Sequence, residues 1–194
     1  DLHTEFKSSL VYPAGRGMKP DLAAQTTEIL KVVCGFLNAE GGTLYIGVND
    51  EGVASGLEQD MPHFRGGSMD AFDLHVRNHI VQHMGVDANA HVTVSYPDAG
   101  KRTVYALHVQ PSPHPVMLGG VYYVRQGSST WPLLGRDLDL FLERKEAERL
   151  RMGIEPVAAD PDASPVAVEP AAEVAPPSTR FTITLSALPI ATIS

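Results

Sequence analysis

The sequence predicts an α+β domain, a mixed β-sheet flanked by helices, from three observations. Residues 43–48, Thr43-Leu44-Tyr45-Ile46-Gly47-Val48, are apolar on both faces, as in a strand covered on both sides. Three segments, 21–37, 68–84 and 137–152, carry the amphipathic pattern of helices. Between the last two, runs at 90–96 and 103–110 flank Pro97-Asp98-Ala99-Gly100 and read as a hairpin.

In chain order, Glu5-Phe6-Lys7 alternates as a short strand that points its acid and its amine to one face. A Gly- and Pro-rich loop over 12–20, containing Arg16 and Lys19, precedes the first helix. That helix has Asp21 as its cap after Pro20 and Leu22, Ile29, Leu30, Val33, Phe36 and Leu37 as its apolar face. Gly41-Gly42 stops it and starts the 43–48 strand, in which Gly47 leaves room for a close neighbour. Asn49 to Gly52 forms an acidic turn that can present Asp50 from the tip of a fixed strand. A short strand is expected at 53–56, a break at Gly66-Gly67, and a strand at 121–125 that ends in Gln126-Gly127-Ser128-Ser129-Thr130. Leu138, Phe141 and Leu142 form the inward face of the last helix.

Beyond Met152 the composition changes. Residues 153–179 are proline, alanine, valine and acid, an expected linker, and 180–194 is a β-prone segment. A lone strand is unstable in water, so this segment is expected to dock, to pair with another subunit, or to begin a fused or partner domain.

Charge and composition narrow the function. Of the net charge of −8, −3 falls on residues 151–194 and −5 on residues 1–150, so the global basic field usual in nucleic-acid binders is absent. A local groove has Lys7, Arg16, Lys19, Lys31, Arg125 and Arg136 to draw on. The lone cysteine, Cys34, lies in an apolar helical stretch and is expected to be a buried inert thiol. No apolar run reaches membrane-spanning length, and the expected location is the cytoplasm. His75, His79 and His83 recur every fourth residue beside Phe72, Val76 and Ile80, the polar shoulder of an amphipathic helix whose spacing also suits a transition metal.

Several groups carry chemistry. An acid and a lysine two apart on a strand, Glu5 and Lys7, can hold a divalent cation and steady developing negative charge. Arg125 followed by Ser128, Ser129 and Thr130 offers a guanidinium fork, free N–H groups and hydroxyls to an anion. Gly41 and Gly42, beside Asn38 at the helix end, can cradle phosphate or simply turn the chain. No Gly-Lys-Ser or Gly-Lys-Thr occurs, so no Walker loop is present.

Four stretches, Glu5-Phe6-Lys7-Ser8-Ser9-Leu10, residues 36–52, Gly56-Leu57 with Asp60, and residues 123–130, resemble in order the motifs of the Schlafen AlbA_2 domain, also labelled divergent AAA-4 or ATP-binding. The resemblance covers about residues 1–145, and the domain is read as 1–152. It implies an RNA-directed endonuclease with three acids. Glu5 matches the acid within the motif and Asp50 the third, as catalytic groups and ligands of Mg²⁺ or Mn²⁺, with Lys7 beside them. The first acid belongs upstream of Glu5, where the chain begins with Asp1, and Asn49 stands where a second acid would be safest. The expected partner is RNA (tRNA or rRNA) or DNA. The alternative is a non-catalytic nucleic-acid or ATP-binding module of a transcriptional regulator or phage-defence protein. The zinc site of the vertebrate Schlafen core has no thiolate counterpart here.

Overall fold

A computed structural model describes residues 2–15 and 18–153. Asp1, Arg16, all but the first residue of the expected linker, and the C-terminal β-prone segment lie outside the described residues.

The chain opens with β1 (Thr4–Lys7), runs through α1 (Leu22–Asn38) and returns as β2 (Gly42–Ile46). Helix α2 (Met69–Met84) follows two 3-10 turns, and the one-turn helix α3 (Val86–Ala90) leads to β3 (Val92–Ser95). The two-residue ribbon of β4 (Asp98–Ala99) and β5 (Arg102–Thr103) tips the hairpin whose second arm is β6 (Tyr105–Val109). Strands β7 (Met117–Leu118), β8 (Val121–Gln126) and β9 (Ser129–Pro132) precede α4 (Gly135–Arg151).

The main sheet has the order β1-β2-β6-β3, and it is mixed because β1 runs parallel to β2 while β6 is antiparallel to β2 and β3. The α1 crossover supplies the long connection that a parallel pair needs. Strands β7, β8 and β9 form a separate antiparallel sheet.

Helix α1 joins these parts. Asp21 caps it by accepting the Ala24 N–H at 3.0 Å, and from Val32 to Asn38 every residue is buried. A helix apolar all round must be covered all round. Ile29, Leu30, Val33, Phe36 and Leu37 join Leu44 and Ile46 of β2, Leu107 of β6, and Phe72, Val76 and Ile80 of α2 in one core. Gly35 faces the second sheet, where an added Cβ would stand 2.8 Å from the Thr130 methyl. A second cluster, Val124, Leu133 and Phe141, seats α4, with Leu138 and Leu142 packed beside it as its period predicts.

Three expectations shift. The 53–56 strand is one isolated bridge, Val48 to Ala54. The 90–96 strand starts at Val92, because α3 takes up Val86 to Ala90 after Gly85 turns the chain at φ +93°. Ser129 and Thr130 belong to β9, the return arm of a hairpin whose tip is Gly127-Ser128. Cys34 is buried as expected, and burial pushes its thiol up to about 11.

Candidate functional site

Strand β1 is an edge strand, and a cleft of about 370 Å³ lies beside it, lined by Thr4, Glu5, Phe6, Asp50, Arg125 and Ser128. Two strand ends and the β8–β9 hairpin therefore bring Glu5, Asp50, Arg125 and Ser128 together from three distant parts of the sequence.

Glu5 is the centre of an ionic triad. Its Oε1 accepts from Lys7 Nζ at 2.7 Å and its Oε2 is 2.9 Å from an Arg125 terminal nitrogen. The three side chains grade from dry to wet: Arg125 is 2% exposed, Glu5 18% and Lys7 32%. Arg125 also donates to the Thr4 carbonyl at 3.1 Å, and its guanidinium carbon lies 5.3 Å from the Phe36 ring centre. The expected anion-gripping fork thus fixes Glu5, closes part of the β1 edge and stacks on α1.

Asp50 is exposed on its turn. Asn49 shapes that turn: its Oδ1 accepts the Val53 N–H at 2.8 Å, and its backbone pairs with Val53 and Gly52. Phe6 is half-buried in the cleft wall and packs on Tyr45, centre to centre 5.7 Å. Ser128 and Ser129 are exposed at the hairpin tip, but only Ser128 lines the cleft. Thr130 turns inward against Gly35, and its hydroxyl is buried with no hydrogen-bond partner among the described residues.

The helix-end group lies elsewhere. Asn38 is 1% exposed; its Nδ2 donates to the Val116 and Tyr123 carbonyls and its Oδ1 accepts the Val116 N–H, all at 2.8 Å. With those atoms engaged, it brackets the second sheet onto α1. Gly41, at φ +79°, approaches so closely that an added Cβ would be 2.6 Å from Val109 O, and the Phe36 ring fills the space beside Gly42. Both glycines serve close packing.

Asp60 is a charged group whose part the sequence does not reveal. Fully buried, it accepts the Ser9 hydroxyl at 2.6 Å and the Leu10 N–H at 2.7 Å, and Ser9 Oγ in turn accepts the N–H groups of Val11 and Tyr12. The knot fixes the chain just after β1. Burial raises the Asp60 pKa, only partly countered by these hydrogen bonds.

The described donors form no all-protein cage for a divalent cation, although two carboxylates with waters and substrate oxygens can hold Mg²⁺. Only two carboxylates line the cleft, and Glu5 already bridges two cations. Among the described residues no group of three or more His, Cys, Asp or Glu side chains is placed to hold a metal ion.

Fold and cleft define an α+β domain with an ion-paired pocket at a sheet edge. Residues 1–133 match the family described as Schlafen, AlbA_2, and the chain belongs to that family. It is therefore a domain of a nucleic-acid-associated class. No curated protein matches it. Among solved structures, the DIP2311 protein from Corynebacterium diphtheriae is similar in fold, with a TM-score of 0.54 and 19% identity over 76% of this chain. The match spans 27% of that protein's length. No helix among the described residues is long and apolar enough to cross a membrane.

Proposed function

We propose that the domain binds single-stranded nucleic acid along the β1 edge as a non-catalytic module, with a base against Phe6 and the neighbouring phosphate on the Ser128 turn and Lys7. The observation that carries this reading is the cleft itself, where an accessible aromatic ring and a hydroxyl-bearing turn flank a carboxylate already neutralised by two cations. Single strands bind by base stacking on aromatics and phosphate contact in a locally positive groove, so affinity here rests on the Phe6 ring and on Lys7. Asp50 repels phosphate at the rim and sets a modest affinity.

A second reading is a Mg²⁺- or Mn²⁺-dependent endonuclease acting on RNA or DNA. It is supported by Glu5 and Asp50 lining one cleft, because two carboxylates with waters and substrate phosphate oxygens are an ordinary Mg²⁺ donor set.

Fluorescence anisotropy with labelled single-stranded RNA and DNA 12-mers tests the first reading. Phe6→Ala weakens binding by roughly tenfold, the lower half of the usual value of a stacked base, in a protein whose circular dichroism is unchanged. Absence of binding at low salt, or binding indifferent to Phe6→Ala, overturns it. The same RNAs and DNAs, incubated in Mg²⁺ or Mn²⁺ beside Glu5→Gln and Asp50→Ala proteins, decide the second reading. Cleavage abolished in both variants would replace the non-catalytic reading with the nuclease.

A further inference from the structure

A second cavity lies away from the Glu5 cleft and shares no residue with it. It measures about 650 Å³ and opens between α1 and α2, over β7 and β8. Leu22, Leu30, Leu118, Val121 and Tyr123 supply an apolar lining, and its size and character match those of small-molecule sites.

Its polar side carries one fixed charge, that of Lys31. Lys31, His75, His79 and His83 line it, and no acidic residue does, in a chain whose net charge is −8. Glu28 pairs with Lys31 at 2.7 Å but is more than half exposed and does not line the cavity. An apolar cavity whose one charged lining side chain is a lysine suits an anion with an apolar body.

The histidines add a second requirement. His79 Nδ1 lies 2.8 Å from the His75 carbonyl, which can only accept, so the ring proton sits on Nδ1 and the neutral ring keeps Nε2 as an acceptor. His75 Nε2 bonds the Thr26 hydroxyl at 2.9 Å and ties α1 to α2. The rings pack on one another, 4.2 Å between His75 and His79 and 5.9 Å between His79 and His83. A ligand that satisfies the His79 acceptor must carry a donor of its own.

We propose that this cavity is a binding site for a small aromatic acid bearing a hydroxyl: the ring system among Leu22, Leu30, Leu118 and Tyr123, the acid group on Lys31, and the hydroxyl donating to His79 Nε2. Neither the family match nor the proposed nucleic-acid reading assigns it.

The probe is 6-hydroxy-2-naphthoate, followed by calorimetric titration of the full chain, with 2-naphthol and 2-naphthoate as analogues that lack the acid and the donor. Saturable one-to-one binding is expected, with each analogue about tenfold weaker. Lys31→Gln removes the preference for the acid, and His79→Leu removes the preference for the hydroxyl. Ala23→Trp, on an exposed helix position that lines the cavity, fills it and abolishes binding without disturbing the core. No saturation, equal binding of all three probes, or binding that survives Ala23→Trp overturns the proposal. None of these variants touches the Glu5 cleft, so nucleic-acid binding is unchanged in each, and failure here is distinct from failure there.

Discussion

Removing Arg125 leaves Glu5 with one cation instead of two and opens a gap against the Phe36 ring. Because the guanidinium is nearly dry and Glu5 is mostly so, the carboxylate, left with Lys7 alone, regains little hydration without local opening. Arg125→Met, which keeps the stem and loses the charge, is expected to destabilise the domain by on the order of 3 kcal/mol in urea denaturation. The double variant Glu5→Gln with Arg125→Met recovers part of that loss. An Arg125→Met protein within about 0.5 kcal/mol of the parent would show that the pair is not a structural tie. The two asparagines show what single residues disclose. Asn49 reads as a gap in the acid set, yet its side chain only accepts one N–H, a bond that aspartate accepts equally well. The turn therefore does not demand asparagine. Asn38 must both donate and accept, which aspartate cannot do, and its partners lie 78 and 85 residues away. No local pattern marks such a bracket.

At the scale of elements, the sequence is legible where one local rule suffices. The period of α1 and its Asp21 cap, the two-faced apolar run of β2, and the Glu-x-Lys alternation of β1 each declare themselves within a few residues. β9 does not, because Ser129 to Pro132 lacks alternation and becomes a strand through its ladder to β8. Helix α3 is missed for a related reason: five residues are too few to show a period. The cleft was half legible. Its residues stand in recognisable motifs, but the Glu5–Arg125 pair joins segments 120 residues apart, and only the docking of the second sheet on α1 brings them together. The α1–β2 corner gives the prediction proper to this scale. Gly41→Ala meets both a left-handed backbone and the Val109 carbonyl, whereas Gly127→Ala at φ +61° meets only the former, with open space around it. Thermal unfolding should place the Gly127 variant about 1 kcal/mol below the parent and the Gly41 variant lower by at least twice that. Equal losses would mean that the corner relaxes freely and is not a packing constraint.

For the whole molecule, acidity and architecture pull in different directions: a chain at −8 meets polyanions only through a local surface, and its stability depends on how it buries individual titratable groups. Two of these act with opposite sign. Burial, helped by His79, lowers the pKa of His75 from its ordinary 6.5 to about 4, so the fold favours the neutral ring. That contribution is complete above pH 6.5 and is lost as pH falls toward 4, about 3 kcal/mol if the full shift is realised. Asp60, with its pKa raised by burial, favours the protonated acid; its contribution is present at low pH and disappears as pH rises through its folded value. Acidification from pH 7 to 4.5 therefore lowers the urea midpoint through His75 while Asp60 offsets part of the fall. His75→Gln, which can still bond Thr26, should flatten the decline, and Asp60→Asn should steepen it even though it starts from a less stable protein. If all three proteins lose stability in parallel between those two pH values, neither buried group governs the acid response, and the two-helix contact at Thr26 and His75 is not where protons enter.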